Sequence, residues 1–551
     1  MGLSGVLDIA KSALLASQSA LQTTSHNIAN VNTPGFVRQR VNLASGEPTS
    51  IGGLYVGTGV TVTGVERVYD RFLGLQIFDA AESQGRYDGR RDALARLEGI
   101  FNDFKGAGLG DVLDGFFAAL GDVANDPSSY PARTVLMGKA ETLGSRLNSL
   151  ASRVQQEISN VESQISGTVK EITSLASRVA EFNARIREIE SGGAEANDLR
   201  DQRDSLVKSI AEKIDITVLD GEGGQVNILV AGGNSLVAGK SASTLSAVQN
   251  PENNGYYDIM LGTANLTGAV SSGRLKGLIE ARDGDFRDAA ERLDTLAASI
   301  TREFNVIHRA GYGLDGSTGL DFFNALTPLT RAESANTGGA GVTANSVINL
   351  SALTLSDYEI RFSSSTEFSV IDTTTNAVVS TGNAYTSGGN IDFDGIRVVI
   401  SDVTSAPASG DVFSVSVTSG AASDFAVALA GADADKFAAA KNPLALPGDN
   451  SNALDMVDLK DAGVLSNGNA TFNGYYTGIV SDIGVASGEA SAMSSAEASV
   501  VKELEAYRES VSGVSMDEEA ANLIKYQHAY QAAARVITVV DTMLDALLNM
   551  R

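Results

Sequence analysis

The chain has 551 residues, which is long enough for several domains. Its 67 acidic residues outnumber 41 basic ones, and the formal charge of −26, without any run rich in Lys or Arg, argues against nucleic acid and membranes as partners. The lack of Cys excludes disulfides, iron-sulfur ligation and thiol catalysis.

The N-terminal segment predicts a helix with a narrow apolar seam. The seam repeats every seven residues at Leu7, Leu14, Leu21 and Ile28. A companion row follows the same step at Leu3, Ala10, Ser17, Thr24 and Val31. A helix with so thin a stripe is marginal in water, so we expect it to need an apolar partner. Asp8 and Lys11 interrupt the apolar core that a cleaved signal peptide would have.

A turn is predicted where this helix ends. The segment contains the consecutive residues Asn30, Val31, Asn32, Thr33, Pro34, Gly35 and Phe36. Pro34 disfavours the helical conformation at Thr33, Gly35 permits a positive φ, and Asn side chains can bond to nearby backbone. The chain must therefore change direction here.

The next part of the chain predicts short strands followed by long helices. Residues 37–80 are rich in Gly, Val and Thr, and helical periodicity begins at about Asp88. The longest helical passage runs from about Ala132 to Glu190, with Ile158, Ile165, Ile172, Val179 and Ile186 seven residues apart. Helices of this length favour a rod, which we assign to residues 37–215 with 266–342 and 421–514.

Two features lie between these helices. Charged residues between Asp198 and Asp204 are spaced as on a helix surface, and such a cluster is most often a solvated salt-bridge face, so we do not predict a catalytic role. Residues 216–265 alternate around a Gly-rich turn, which predicts a small β-hairpin element.

The second half predicts a helix, an inserted β-domain and a return to helix. A helix is expected from about Asp285 to His308, before a Gly-rich turn. Residues 343–420 alternate Ser or Thr with apolar residues, which indicates a β-domain, and its distance from both termini predicts that it faces outward. Helices are then predicted over Phe425 to Ala440 and Thr471 to Val511, joined by a connector around Asn450 to Leu454.

The C-terminus predicts a second helix with a seam. Its first row is Leu523, Tyr530, Ile537 and Leu544, and its second row is Tyr526, Ala533, Val540 and Leu547. Ser515 and Glu518 form a capping-box pattern at its start. The nearest candidate partner for this seam is the N-terminal one, so residues 1–36 and 515–551 are expected to form a layer of paired helices. The alternative is an ordinary terminal helix folded onto its own core.

Catalytic and metal-binding patterns are lacking. The three histidines, His26, His308 and His528, are far apart in sequence, and none lies in a His-Glu-x-x-His arrangement or beside a plausible nucleophile. The glycines from Gly311 to Gly319 lack the features of a phosphate or calcium loop. We therefore predict no enzyme, no metal and no cofactor, and a multidomain, mainly α fold with long coiled-coil-like helices, paired terminal helices and inserted β-rich domains.

The two ends of the chain resemble the bacterial flagellar axial proteins, the family of rod, hook and hook-associated proteins. The N-terminal motif comprises Asn30, Asn32, Thr33, Pro34, Gly35 and Phe36, and the C-terminal one runs from Ser512 through Ile537. Further matches indicate the hook-associated members at the junction of hook and filament. These are Asn197-Asp198-Leu199, Asp201-Gln202-Arg203-Asp204, Asn305, His308, Gly311, Asp315-Gly316, Gly319 and Phe322-Phe323.

The resemblance implies a structural protein of the extracellular flagellum that joins hook to filament and is exported without a cleaved signal peptide. Its implied partners are further copies of the chain in a ring or helical assembly, the hook protein, the second junction protein (hook-associated protein 3) and an export chaperone. We expect the chaperone to bind over Leu523 to Leu547, through Leu523, Tyr530, Ile537 and Leu544, by a helix-in-groove mode. The alternatives are another axial protein such as the hook protein, or a secreted adhesin or enzyme that uses the β-insert.

Overall fold

The computed structural model describes residues 3–51, 53–102, 108–253, 255–429 and 431–549, so residues 1, 2, 550 and 551 of the predicted terminal layer lie outside the described part. The described α-helices are α1 Leu3–Ala29, α2 Arg71–Phe101, α3 Leu109–Asn125, α4 Tyr130–Glu190, α5 Asn197–Ala211, α6 Gly273–Glu280, α7 Arg287–Ala310, α8 Ser451–Asp458, α9 Phe472–Ser512 and α10 Met516–Asn549. A π-helical stretch, Ala281–Phe286, joins α6 to α7. None of the described helices combines the length and the hydropathy that a bilayer crossing requires.

The strands form small antiparallel sheets. The first eleven are β1 Gln39–Ser45, β2 Thr49–Ile51, β3 Leu54–Val56, β4 Val60–Arg67, β5 Ile216–Asp220, β6 Val226–Val230, β7 Asn234–Ala238, β8 Ser241–Ala242, β9 Leu245–Gln249, β10 Tyr257–Leu261 and β11 Ala264–Asn265. The other eight are β12 Leu329–Ala332, β13 Ala340–Val347, β14 Tyr358–Ser364, β15 Glu367–Asp372, β16 Ala377–Ala384, β17 Asn390–Phe393, β18 Ile396–Asp402 and β19 Val412–Ser416.

The two ends of the chain pack on each other. Helix α1 contacts α10 along its length and contacts β1 and β4 on another side. Strands β1 and β4 pair in antiparallel order from Gln39 with Arg67 to Ser45 with Val60. The predicted pairing of N- and C-terminal helices is therefore confirmed.

A single apolar core holds the rod together. Helix α2 packs on α6 and α9, and α4 packs on α3, α5 and α7. The seven-residue row of Ile158, Ile165, Ile172, Val179 and Ile186 is buried in this core. Gly85 lets α2 approach α5 closely, because a Cβ there would lie 2.0 Å from the Glu212 carbonyl oxygen.

Residues 216–265 contain more than a hairpin. Strands β5 and β6 pair as the alternation suggests, but β7 and β8 extend them to four strands, and β9, β10 and β11 form a separate three-stranded sheet. Asn183 of α4 ties the first sheet to the rod, since its amide donates to the Val226 and Gly239 carbonyls at 2.7 and 2.8 Å.

The inserted β-domain has its own core, and we call it the outer β-domain because the sequence predicts that it faces outward. A five-stranded sheet in the order β12-β19-β14-β15-β16 and a three-stranded sheet in the order β13-β18-β17 bury Tyr358, Phe362, Ile396 and Phe413 between them. The domain begins with β12 at Leu329, earlier than the predicted residue 343, because Leu329 pairs with Ser416 at the end of the last strand.

Three predictions about the helices were wrong. Helix α2 begins at Arg71 rather than near Asp88, since Asp70 caps it by accepting from the Phe72 and Leu73 amides. The connector around Asn450 to Leu454 belongs to α8, which begins at Ser451. The segment from Phe425 to Ala440 is not an α-helix and has only a 3-10 turn over Gly431–Lys436.

Tertiary hydrogen bonds explain the loss of that last helix. The buried Arg133 guanidinium donates to the Ala434 and Phe437 carbonyls, and the Ala438 amide donates to His308 Nε2 at 3.0 Å. These backbone groups are thus held by distant side chains rather than by helical partners.

Candidate functional site

The small residues of the companion row on α1 are the ones buried where this helix packs on α10, β1 and β4. On α1 the buried residues include Ala10, Ser17 and Thr24, whereas Leu7, Leu14, Leu21 and Ile28 are half-buried. On α10 Ala533 and Val540 are buried, at 7% and 3% exposure. Small side chains let two helices approach closely. The larger row on α1 is only half-covered.

The predicted C-terminal seam divides into two parts. Leu523, Tyr526 and Ile537 are half-buried and Val540 is buried, on the side of α10 that faces α1. Tyr530, Leu544 and Leu547 are 36%, 38% and 55% exposed. The structure therefore brings four of the seven proposed C-terminal seam residues against α1 and leaves three in solvent.

An apolar strip on α10 extends beyond the predicted rows. Val536, Val539, Met543 and Leu548 are 41%, 52%, 53% and 74% exposed. We call these four residues, with Tyr530, Leu544 and Leu547, the outer strip. The sequence analysis missed these four because it followed only the seven-residue rows. Every described residue of α10 after Val540 is exposed, so this end of the helix lies outside the contact with α1.

The turn after α1 closes the helix with its own side chains. The side-chain amide of Asn30 donates to the His26 carbonyl at 3.0 Å, and Thr33 Oγ1 donates to Asn30 Oδ1 at 3.1 Å. Gly35 has a φ of 81°, which suits glycine, and the Phe36 ring meets the His26 ring edge-on at 5.4 Å. Asn32, Thr33 and Pro34 are exposed. The family motif therefore forms a tight turn with three exposed residues.

One buried side chain links α1 to the sheet behind it. Asn27 is 1% exposed, and its amide group bonds twice to the Gln39 backbone, donating at 2.9 Å and accepting at 3.0 Å. This places the beginning of β1 against α1. Neither seven-residue row of α1 includes Asn27, so periodicity alone gave it no contact.

The charged segment at the start of α5 is an anchor for the chain ends. Asn197 donates to the Val65 carbonyl at 2.6 Å, Asp198 accepts from Gln39 at 2.7 Å, and Asp201 accepts from the Val37 amide at 3.0 Å. The interpretation as a solvated face is wrong for Asp201 and Arg203, which are 7% and 4% exposed. We call Asn197, Asp198, Asp201 and Asp204 the α5 anchor.

Arg67 at the end of β4 completes this anchor. Its guanidinium lies 2.6 Å from Asp201 and 2.9 Å from Asp204, with 8% of its side chain exposed. Burial disfavours the charge, but the two carboxylates outweigh it and raise the pKa of Arg67. A permanently charged, nearly dry cluster therefore joins the hairpin of β1 and β4 to the rod.

A second ion pair holds the beginning of α10. Arg38 bonds to Glu519 and Glu518 at 2.7 Å each, and its backbone amide donates to the Ser512 carbonyl at 2.9 Å. Glu519 is 2% exposed. Glu518 thus pairs with Arg38, although the Glu518 amide still points to Ser515 Oγ at 3.5 Å as the capping box predicts. Because this contact joins the end of the α1 turn to the start of α10, the two helices run antiparallel.

Family models match the chain from one end to the other. "Flagella basal body rod protein" matches residues 7–36, and "Flagellar hook-associated protein FlgK helical domain" matches residues 94–323. "Flagellar hook-associated protein 1, D2-like domain" matches residues 331–417, and "Flagellar basal body rod FlgEFG protein C-terminal" matches residues 508–550.

Whole proteins and a solved structure match as well. The flagellar hook-associated protein 1 of Salmonella typhimurium is 31% identical over 562 residues, with 100% of both chains covered. The same-named proteins of Escherichia coli and Bacillus subtilis are 30% and 28% identical, with at least 97% of each chain covered. The flagellar hook junction protein FlgK from Burkholderia pseudomallei shares the fold, with a TM-score of 0.67, 22% identity, 79% of this chain and 100% of that chain covered.

Proposed function

The chain belongs to the flagellar hook-associated protein 1 family, and from that premise we propose that it assembles between the flagellar hook and filament through its paired terminal helices. The observation that carries the proposal is the outer strip, a run of large apolar side chains on a helix within residues 508–550, which match the model "Flagellar basal body rod FlgEFG protein C-terminal". The protein is a structural component of the flagellum, and no chemical step belongs to the proposed role.

Assembly would cover what the isolated chain leaves exposed. Complete burial of a fully exposed side chain of this size contributes roughly 1.5 to 3 kcal/mol. The seven side chains of the outer strip are 36% to 74% exposed, so covering all of them contributes on the order of 5 to 10 kcal/mol. We therefore propose that neighbouring copies, in a ring or helical array, cover the outer strip. In this arrangement the hook protein lies on one side of the array and hook-associated protein 3 on the other.

The same helix would need protection before export. We propose that an export chaperone binds α10 over Leu523 to Leu547 by a helix-in-groove mode, and that the chain is exported without a cleaved signal peptide. Of the four proposed contact residues, Leu523 and Ile537 lie on the side that faces α1, while Tyr530 and Leu544 are exposed. A chaperone that contacts all four would therefore compete with α1.

The double variant Tyr530→Asp with Ile537→Asp tests both proposals. We expect it to fail to support filament growth in cells that lack the wild-type chain, because one carboxylate would lie in the outer strip at Tyr530 and the other against α1 at Ile537, and both would be buried without a partner. We also expect it to lose co-purification with the chaperone. The readouts are electron microscopy of flagella and pull-down of the full chain.

The matched control is Gln527→Asp with Gln531→Asp, which adds the same charge at exposed polar positions of α10. This control should keep filaments and chaperone binding. Normal filaments with the Tyr530 and Ile537 variant would overturn the assembly surface, and retained chaperone binding would overturn the chaperone site. Normal filaments without any copy of the chain would overturn the junction function itself.

A further inference from the structure

Helix α9 has two apolar faces, of which only one is covered within the chain. One face packs on α2 and α7 with Tyr476, Ile479, Ile483, Ala490 and Val501 buried. The other carries large exposed side chains, which are Val485 at 67%, Met493 at 36%, Val500 at 44%, Tyr507 at 58% and Val511 at 39%. We call these five residues the α9 stripe. It extends over about 39 Å of helix at roughly 1.5 Å per residue, and large apolar side chains that recur in solvent along one side of a helix mark an interaction site.

The α9 stripe is bordered by acid. Glu489 and Glu503 are exposed on the same side of the helix, since they lie four residues after Val485 and three after Val500. The partner that fits this surface therefore carries Lys or Arg side chains in a straight row.

Helix α4 carries such a row of cationic side chains. Lys139, Arg153, Arg178 and Arg185 are exposed along one side of this 61-residue helix. Lys139 and Arg153 are 14 residues apart, Arg178 and Arg185 are seven apart, and the gap of 25 between the two pairs is close to seven turns at about 3.6 residues per turn. Glu157 and Glu171 lie in the same row, but they pair with Arg96 at 3.2 Å and with Lys213 at 2.7 Å. We call the four cations the α4 row.

We propose that the α9 stripe of one copy packs against the α4 row of the next copy in the assembly. Both helices bury one face in the same core, and α2 and α7 pack on both. Contact between two different faces is heterologous, and a heterologous contact repeats around a ring or helix instead of ending at a dimer.

The charge of the chain supports this choice of partner. Copies with a formal charge of −26 repel one another, and repulsion is smallest where a cationic row faces an acid-bordered stripe. Long Arg and Lys side chains can also lay their methylene groups over apolar residues while their charges reach the flanking carboxylates. This inference rests on the proposed function, and it adds a lateral surface on the rod that is separate from the outer strip.

Charge reversal in the full chain tests the pairing. Arg153→Glu with Arg178→Glu reverses the α4 row, and Glu489→Lys with Glu503→Lys reverses the border of the α9 stripe. Each pair alone should reduce the number of filaments per cell at least tenfold, and all four changes in one chain should restore it because attraction returns with opposite signs. Lys170→Glu with Lys240→Glu is the control, as both lysines are exposed outside the row. Filaments unchanged in both reversals, or not restored in the fourfold variant, would overturn the pairing.

Crosslinking tests the same contact with smaller changes in charge than the charge-reversal variants require. The chain has no Cys, so full-length chains with Arg153→Cys or Arg178→Cys can be co-produced with chains carrying Met493→Cys or Val500→Cys. In isolated flagella, a short bis-maleimide should join an α4 variant to an α9 variant. Two outcomes would overturn this inference and leave the proposed function intact. In one, the chains are present in flagella but no pair of variants gives a mixed product. In the other, the only product is a homodimer of the Val500→Cys chain. Absence of the wild-type chain from flagella would overturn both.

Discussion

At the scale of single residues, the motif from Asn305 to Phe323 serves the interior of the rod. Asn305 is fully buried, and its side chain accepts from the Phe322 and Phe323 amides at 2.9 Å and donates to the Phe323 carbonyl at 2.8 Å. His308 Nδ1 donates to the Leu320 carbonyl at 2.7 Å, since its Nε2 accepts from Ala438. Burial lowers the pKa of His308 to about 4, so the ring is neutral and its tautomer is fixed. These residues close the turn that leads to the outer β-domain.

Glu82 allows the effect of burial on the pKa of a single carboxyl group to be tested. It accepts from the Ile216 amide at 2.8 Å, and burial raises its pKa from 4.5 to about 8. The unfolded chain therefore releases this proton first, and the free energy of unfolding falls as the pH rises from 4.5 to about 8. Glu82→Gln keeps an acceptor for Ile216 without the ionisation, so at pH 8 we expect it to melt about 3 °C or more above the wild type.

The measurement is thermal unfolding followed by circular dichroism from pH 5 to pH 8. The difference in melting temperature between the two proteins should grow with pH. Taking this difference removes the contribution of the titratable groups that both proteins share. A constant difference across this range would contradict the raised pKa of Glu82.

At the scale of elements, α5 decides how the chain ends are attached to the rod. Its anchor holds the backbone of Val37 and Val65, while Arg67 reaches it from β4. Hydrogen bonds and ion pairs, rather than a large apolar contact, make this attachment. Buried polar contacts fix one geometry because each alternative leaves a charge without a partner. The terminal pair is thus joined to the rod in a defined position.

Removing Arg67 should reveal the strength of this anchor. Arg67→Gln leaves Asp201 and Asp204 without their shared cation, so we expect a loss of about 3 to 5 kcal/mol in the free energy of unfolding. Arg71→Gln is the control, because Arg71 pairs with Asp220 where both side chains are about 60% exposed, and its loss should stay below about 1 kcal/mol. Urea unfolding of the purified variants measures both, and equal losses would show that burial of the Arg67 cluster does not matter.

At the scale of the whole molecule, the outer β-domain is a separable insertion. It has its own core, and its first and last strands are adjacent, since Leu329 pairs with Ser416. The rod core forms a separate cluster that contains Phe304, Phe322 and Phe323. The chain therefore leaves the rod and returns to it at nearly the same point.

Deleting residues 329–417 and closing the gap with a short Gly-Ser linker tests the alternatives to a junction protein. The rod should fold, because the two ends to be joined already lie side by side, and we expect filaments to form on hooks. The matched control restores the domain in the same cells. Loss of surface binding or of an activity with filaments retained would favour an adhesin or enzyme that uses this domain, and loss of filaments from a folded, exported chain would show that the junction needs it.

The sequence by itself determined the features that depend on local chemistry and strict periodicity. The seven-residue rows predicted α1, α4 and α10, the Asn, Pro and Gly residues predicted the turn at 30–36, and alternation predicted strands on both sides of the Gly-rich loop at 221–224. These signals work because neighbouring side chains on one face of an element repeat at its own period.

Only the tertiary structure decided which of these faces are covered and what the polar residues do. It buried the small row of Ala10, Ser17 and Thr24 and left the outer strip and the α9 stripe in solvent. It buried Asp201 beside Arg67, and it held the segment before Ala440 with Arg133 and His308 in place of a helix. The physical reason is that burial and ion pairing depend on residues more than a hundred positions away, whereas periodicity reports only the face that a residue shares with its neighbours.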